Sequence, residues 1–198
     1  MPAQSLLVVV SGPSGSGKGT LCNMLREALP DLSYSISLTT RPPRGDEQNG
    51  VEYFFVTEEE FKKRIEAGEF LEWAEVYGYY YGTLLFTVEK LLSEGRNVLL
   101  ELDTQGARMV KEIFPEAVLI FIRPPSMEEL KARITKRGTD DQAAINKRLS
   151  CAPDELEAAR SYDYLVDNNL KEQAFADLLN IIEREKSARR RGQGGMDI

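Results

Sequence analysis

The sequence predicts an α/β fold in which helices flank a parallel central sheet. Three short apolar runs lack the alternation of a half-exposed strand, which indicates strands buried on both faces. These runs are residues 6–10, 97–102 and 117–122. Amphipathic helical patterns lie between the runs, at residues 20–29, 87–93 and 105–114. Buried strands that alternate with helices are typical of a parallel sheet with right-handed crossovers.

Two segments interrupt this alternation. Residues 37–86 contain glycine, proline and charge, followed by short aromatic-rich strands of antiparallel type, so we expect a small insert with a mixed sheet. One helix within it is predicted to begin at Thr57, where Glu60 completes a capping box. Residues 125–159 form a second, helical insert, with one helix from Ser126 to about 137 and another from 140 or 141 to 149. We expect a break between these two helices at Gly138.

These inserts divide the chain into four predicted parts. A discontinuous core consists of residues 1–36, 87–124 and 160–188, with a last strand at 164–166 and a closing helix at 171–188. The first insert is 37–86, the second insert is 125–159, and a basic flexible tail covers 189–198.

The 198 residues include no histidine. This excludes Ser-His-Asp and Cys-His catalysis, metal sites of the HExxH type and any histidine proton shuttle. An enzyme of this composition has carboxylates, lysine, arginine, hydroxyls, backbone amides or a bound metal for its chemistry. Phosphoryl transfer fits best, because it depends mainly on positioning and on stabilisation of negative charge.

The net charge is −7, and it is unevenly distributed. Residues 184–198 carry five basic and two acidic side chains, so the other 183 residues have a net charge of −10. An acidic body argues against broad nucleic-acid binding. A basic tail can contact RNA or anionic lipid, but a solvated tail is the favoured interpretation.

Cysteine usage and hydropathy indicate the compartment. Cys22 and Cys151 have no partner motif, so neither a disulfide framework nor a zinc site fits. No apolar run is long enough to span a bilayer, and the start lacks the pattern of a secretory signal. The sequence therefore predicts a cytoplasmic, reduced protein without a membrane anchor. It does not decide between a monomer and a homo-oligomer.

A glycine-rich segment follows the first predicted strand and precedes the first predicted helix, which is the context of a phosphate-binding loop. Its residues are Gly12, Pro13, Ser14, Gly15, Ser16, Gly17, Lys18, Gly19 and Thr20. Backbone N–H groups of such a loop converge on phosphate oxygens, the helix start adds its dipole, and the lysine adds a cation. The strict pattern has Ser or Thr directly after the lysine as a Mg²⁺ ligand. Gly19 stands there instead, which leaves Thr20, Ser16 and water as alternative ligands.

A second phosphate pocket is one interpretation of the first insert. Arg41 and Arg44 lie three residues apart around two prolines, and arginine forks suit bidentate phosphate contacts. Tyr53 and Tyr81 offer phenolic donors. The alternative is that the arginines are surface residues of a turn and that the tyrosines only pack. These residues alone do not decide between the two.

The chain resembles the guanylate kinase family over roughly residues 5–185. The resemblance rests on five blocks in this order: GPSGSGKGT, SLTTRPPRGDEQNGVEYFFV, EFLEWAEVYGYYYGT, LELDTQGA and RGTDDQAAINKRL. The second and third blocks are not general features of phosphate-loop proteins. The resemblance implies the phosphate-loop NTPase fold, with the first insert as the GMP-binding part and the second as a lid.

The resemblance also implies the site residues. The acceptor phosphate would be held by Ser37, Arg41, Arg44, Tyr53 and Tyr81, and guanine would be read by Glu72, Thr83 and Asp103. Guanine presents two adjacent donors on one edge, and a carboxylate accepts both. Adenine would leave buried polar groups unpaired, which can give discrimination of about 10⁴-fold. Taken by itself, Glu72 would be read as an outward-facing strand residue.

Asp103 directly follows the predicted strand 97–102, and Glu101 lies near the end of that strand. Both are therefore at the carboxyl end of a buried strand, where open α/β sheets bind ligands. One can serve the base and the other the Mg²⁺ shell, although the family often has aspartate at the position of Glu101. A buried ion pair with a core arginine is the alternative for Glu101.

In the lid, the resemblance assigns roles at the transferring phosphoryl group to Arg137 and Arg148. Arg133 can join them or pair with Glu129.

These observations predict transfer of the γ-phosphate of ATP to GMP, with dGMP as a second acceptor and Mg²⁺ as cofactor. Lys18, Arg41, Arg137 and Arg148 are the predicted catalytic residues, and Thr20 and Glu101 the predicted metal ligands. Two alternatives are a non-catalytic interaction module that resembles this family and a kinase of a phosphorylated sugar. Such modules usually lack an intact phosphate loop, and a sugar kinase would not need Glu72 and Thr83.

Overall fold

The computed structural model describes residues 5–76, 78–136 and 142–191. The strands are β1 (Leu7–Ser11), β2 (Leu32–Tyr34), β3 (Leu38–Thr39), β4 (Phe54–Phe55), β5 (Phe70–Val76), β6 (Tyr79–Leu84), β7 (Asn97–Glu101), β8 (Val118–Arg123) and β9 (Tyr164–Asp167). The helices are α1 (Lys18–Ala28), α2 (Glu58–Glu66), α3 (Leu85–Ser93), α4 (Thr104–Ile113), α5 (Met127–Lys136), α6 (Gln142–Ala158) and α7 (Lys171–Arg191), and a 3₁₀ turn covers Ala159–Ser161.

The central sheet is parallel and has the strand order β2-β7-β1-β8-β9. In its centre Val9 pairs with Leu100 on one side and with Leu119 on the other. The predicted α/β fold is confirmed. Strand β2 is absent from the sequence-based expectation because its three residues are too few to show a pattern.

Helices cover both faces of this sheet, which explains the continuous apolar runs. On one face Leu21 of α1 and Leu178 of α7 pack with Val8 of β1. On the other face Val88 of α3 and Val110 of α4 pack with other residues of the same strands. Every residue of β1 is buried, and all but Ser11 are apolar, as expected for a strand covered on both faces.

The first insert holds a mixed sheet with the strand order β4-β3-β6-β5. Its helix α2 begins as predicted, with Thr57 accepting a hydrogen bond from the Glu60 amide at 3.1 Å. The antiparallel expectation holds for β5 with β6 and for β3 with β6. Strands β3 and β4 pair in parallel, so the sheet is mixed, as predicted. Residues 40–53 connect these two strands. The connection is long enough to bring the chain back, so that both strands run in the same direction.

The second insert packs α5 against α6, with Leu130 and Ile134 facing Ile145 and Ala152. Helix α6 runs to Ala158 and so passes the predicted end at 149, although Pro153 lies within it. A proline removes one helical hydrogen bond, yet α6 continues past it, with the neighbouring Ala152 buried against α5. The predicted break at Gly138 lies outside the described residues.

Helix α7 ends at Arg191, three residues after the predicted end, so residues 189–191 do not belong to a flexible tail. Arg189 donates hydrogen bonds to the backbone carbonyls of Ser5 (2.9 Å) and Glu116 (2.6 Å). Lys186, one turn earlier, is 5% exposed and contacts Asp31 at 2.9 Å. These contacts hold the end of α7 to the edge where β1 and β8 begin. Among the described helices, none has the length and apolar character needed to cross a bilayer.

Replacing Arg189 by alanine removes two charge-assisted hydrogen bonds, of which the one to Ser5 is partly buried. We expect Arg189→Ala to lower the free energy of unfolding by about 1 kcal/mol. Urea unfolding followed by circular dichroism measures the change. Arg190→Ala is the matched control, because Arg190 is exposed on the same helix turn. Equal effects of the two variants would contradict the anchoring role of Arg189.

Candidate active site

One cleft of about 370 Å³ lies between the carboxyl edge of the central sheet, the first insert and α6. It brings together residues that are far apart in the sequence. From the core it is lined by Gly12, Ser14, Gly15, Gly17, Lys18, Gly19, Glu101 and Asp103; from the first insert by Ser37, Arg41, Arg44, Tyr53, Glu72 and Tyr81; and from α6 by Arg148 and Glu155. Most of the predicted site residues therefore share one space.

The glycine-rich loop connects β1 to α1 and takes its shape from close backbone contacts. Gly12 has a φ of 141°, and a Cβ atom there would lie 2.4 Å from the carbonyl oxygen of Ile122. Gly17 has a φ of 98°, and a Cβ atom there would lie 2.3 Å from Nδ2 of Asn168. That Nδ2 atom donates a 2.7 Å hydrogen bond to the Ser16 carbonyl. Only glycine permits both the dihedral angles and these approaches.

Lys18 is the first residue of α1, and its ammonium group lies inside the loop. Nζ donates to the carbonyl oxygens of Gly12 (2.5 Å) and Pro13 (3.1 Å). Burial lowers the pKa of Lys18, while the carboxylates of Glu101 and Glu155 act in the opposite direction. A desolvated ammonium bound to two loop carbonyls at a helix start is arranged to attract an anion.

In the first insert, Arg41 is the centre of a polar cluster. Its guanidinium forms two hydrogen bonds with the Glu47 carboxylate, at 2.9 and 3.0 Å, and its Nε donates to the Tyr81 hydroxyl at 3.2 Å. Arg41 Cζ also lies 5.4 Å from the ring centroid of Tyr53, which meets the Tyr81 ring edge-on. Arg41 is 4% exposed, so the alternative of a surface turn does not hold for it.

Glu47 is a member of this cluster that sequence reasoning missed. Besides Arg41, it accepts a 2.8 Å hydrogen bond from the backbone amide of Arg44. Arg41 and Arg44 are therefore held at a fixed spacing by one carboxylate. The sequence signal for Glu47 was its place three residues after Arg44, in a turn rich in proline and glycine. A charged side chain in such a turn is rarely held in place unless it pairs with a neighbouring group.

Glu72 on β5 is 4% exposed and points into the interior rather than outward. It pairs in register with Thr83 of β6, whose hydroxyl lies 3.2 Å from that of Ser37. Burial raises the pKa of Glu72 to about 7, and the hydroxyl and amide of Thr83 oppose this shift. Within the described part of the chain, its Oε1 atom has no hydrogen-bond partner. A buried acceptor of this kind is suited to a ligand that brings its own donors.

Asp103 lies beside Glu72 and caps α4. Its Oδ1 accepts a 2.7 Å hydrogen bond from the Gly106 amide. A Cβ atom on Gly106 would lie 2.7 Å from Oε2 of Glu72 and 3.4 Å from Oδ1 of Asp103. Glycine at 106 therefore lets the start of α4 approach both carboxylates, which is the role of the glycine in the LELDTQGA block.

The predicted metal ligands are placed differently from each other. Glu101 ends β7 and lines the cleft, and its two carboxylate oxygens lie 3.5 and 3.7 Å from the point where a Cβ atom on Gly19 would be. Thr20 is exposed, and it is not among the described residues that line the cleft. Carboxylate oxygens beside a phosphate loop are the donors that Mg²⁺ prefers, so Glu101 fits this ion.

Two arginine side chains of the second insert lie near the loop, one from α5 and one from α6. Arg148, which is 7% exposed, donates from Nη1 to the Ser14 hydroxyl at 2.7 Å. Arg133 pairs with Glu129 at 2.9 Å, the alternative considered for it, and also donates to the Asn168 carbonyl at 3.3 Å. Arg137 lies outside the described residues.

Three predicted site residues are buried beside the cleft rather than among its lining: Pro13, Ser16 and Thr83.

The sequence matches the model of the guanylate kinase family over residues 4–185. The chain belongs to the guanylate kinase family. It is 54% identical to a guanylate kinase of Caldanaerobacter subterraneus subsp. tengcongensis, over 92% of this chain and 89% of that protein. It is 49% identical to one of Symbiobacterium thermophilum, over 93% and 87%. The crystal structure of guanylate kinase from Anaplasma phagocytophilum has a TM-score of 0.78 and 34% identity, and the match covers 94% of this chain and 88% of that one.

The raised pKa of Glu72 predicts how the stability of this guanylate kinase depends on pH. The folded state holds the proton more tightly than the unfolded state, whose pKa is near 4.5, so stability falls as pH rises from 4.5 through 7. Glu72→Gln removes this loss, which amounts to about 3 kcal/mol for a shift of this size. The variant should therefore gain stability over the wild type between pH 5 and pH 8 in urea unfolding.

Glu75→Gln is the matched control, because Glu75 is exposed on the same strand. It should follow the wild type at every pH. If the difference between wild type and Glu72→Gln stays constant from pH 5 to pH 8, the burial of an ionisable Glu72 is refuted.

Proposed function

We propose that this cleft is where the chain carries out the guanylate kinase reaction, with the donor phosphates at the glycine-rich loop and the acceptor in the first insert. The reaction is transfer of the γ-phosphate of ATP to GMP, which gives ADP and GDP. The observation that carries the assignment is that Lys18, Arg41 and Glu72 line one continuous space. An ATP-type loop, a second phosphate pocket and a base-reading carboxylate are thus within reach of one another.

The acceptor pocket has one part for the phosphate and one for the base. Arg41, Arg44, Tyr53 and Tyr81 would hold the 5′-phosphate, with Arg41 already oriented by Glu47. Glu72 would accept from N1–H and N2–H₂ of guanine, which supply the donors that its buried Oε1 atom lacks. Thr83 and Ser37 would offer hydroxyls to the base and Asp103 a further acceptor. dGMP carries the same base and phosphate, so we include it as an acceptor.

The donor pocket is the loop itself. Lys18 and the loop amides would bind the β- and γ-phosphates, and Arg148 would approach from α6, where it already contacts Ser14. Arg137 belongs to this proposal through the family resemblance. Mg²⁺, held by Glu101 partly through water, would neutralise charge on the phosphates. The other residues act by orientation and by excluding water from the γ-phosphate.

The activity is tested with a panel of acceptors. Purified protein is incubated with Mg-ATP and GMP, dGMP, AMP, CMP or UMP, and ADP release is measured. We expect release with GMP and dGMP only. Glu72→Gln should bring the rates with GMP and AMP closer together, since the amide cannot accept from both guanine donors. Release without an acceptor, or with none of the acceptors, would refute the proposed function.

Lys18→Ala removes the cation at the transferring phosphoryl group. We expect a loss in kcat of about 10²–10³-fold or more. The free energy of unfolding should change by no more than about 1 kcal/mol, because the lost hydrogen bonds are offset by the relieved burial of a charge. Lys63→Ala, on the exposed face of α2, is the control and should keep wild-type activity. An active Lys18→Ala variant would contradict the role given to the ammonium group.

A further inference from the structure

The carboxyl group of Glu155 lies in the cleft and has no part in the function proposed above. Glu155 belongs to α6 and lines the cleft together with Ser14 and Lys18. Its Oε2 atom is buried and, within the described ranges, accepts no hydrogen bond. A buried carboxylate oxygen that no protein group satisfies requires an explanation.

The charged groups around Glu155 come from several elements. Lys18 of α1, the Ser14 amide of the loop and Arg148 of α6 favour its ionised form, while Asp103 at the start of α4 disfavours it. Tyr162, after the 3₁₀ turn, also lies within the electrostatic reach of Glu155. Burial is the largest influence and raises the pKa of Glu155 to about 7. Near neutral pH the group is therefore present in both forms.

Helix α6 presents opposite charges to the same loop. Arg148 and Glu155 are seven residues apart, so they lie two turns from each other on one face. Arg148 contacts the Ser14 hydroxyl, and the Ser14 amide acts on the Glu155 carboxylate. The donor's phosphates need this amide and the Lys18 ammonium, the same groups that favour the carboxylate. If the carboxylate and a phosphate group both bound to this amide and this ammonium, they would lie close together in a partly desolvated cleft. The two negative charges would then repel each other strongly.

We propose that the Glu155 carboxylate competes with the phosphate groups of the donor nucleotide for the glycine-rich loop. Donor binding then requires the carboxylate to leave the loop with α6 or to take up a proton, and Glu155 sets how tightly the donor is held. The inference rests on the proposed function only in placing the donor at this loop. It makes Glu155 a positioning residue that lowers donor affinity rather than one that supplies it.

The test measures binding of Mg-ATP, without an acceptor, by calorimetry at pH 6, 7 and 8. We expect Glu155→Gln to bind Mg-ATP about tenfold more tightly than the wild type at pH 8. The gain should shrink towards pH 6, where the wild-type group is mostly protonated. The protonation of ATP itself changes with pH in the same way for the wild type and for each variant. It therefore cancels when their affinities are compared at one pH. Glu157→Gln is the matched control, with the same charge change at an exposed position on the same helix, and should bind like the wild type.

Several results would overturn the inference: weaker binding by Glu155→Gln, a gain that does not vary with pH, or an equal gain in Glu157→Gln. Glu155→Ala serves as a second variant if the glutamine form does not fold, with the same expectation. ADP release with GMP by the wild type is measured in parallel. If release occurs but Glu155→Gln leaves the ATP affinity unchanged, only this inference fails. If release fails while Mg-ATP binding shows the expected difference, only the proposed function fails.

Discussion

The shape of the cleft depends on how closely other backbone segments approach the glycine-rich loop. Gly12 lies against the end of β8, and Gly17 lies against Asn168, which follows β9 and holds the Ser16 carbonyl. Strands β8 and β9 are neighbours in the parallel sheet, so the sheet register fixes the loop from two points. A side chain at either glycine would push the loop off these supports. The position of the Lys18 ammonium, which is bonded to two loop carbonyls, follows from the same packing.

The second constraint is the burial of charge. The protein outside the basic end carries about ten excess negative charges, yet the proposed substrates of its cleft are two anionic nucleotides. The structure concentrates cations there: Lys18, Arg41, Arg44 and Arg148 all line the cleft. Arg41 is balanced by Glu47, and Lys18 lies near the carboxylates of Glu101 and Glu155. Arranged this way, the cations do not need the ligand in order to keep their positions.

The sequence predicts this protein well where the information is local and poorly where it depends on distant contacts. Buried runs predict β1, β7 and β8, and the glycine-rich loop is recognised from its spacing between strand and helix. Three residues are too few to predict β2, and the extension of α6 through Pro153 depends on packing against α5. Glu47 and Glu155 were missed for the same reason, since an isolated glutamate shows neither its burial nor its partner.

The absence of histidine and the placement of the carboxylates have a common explanation in the chemistry. The nucleophile is an oxygen of the acceptor phosphate, whose second pKa is about 6, so it is already ionised at neutral pH and needs no general base. A free carboxylate near the transferring group would add repulsion without supplying catalysis. Glu72 is accordingly held away from the loop beside Gly106, and Glu101 lies where a cation can neutralise it. Of these three carboxylates, Glu155 alone reaches the loop from α6, the helix that also brings Arg148 to Ser14.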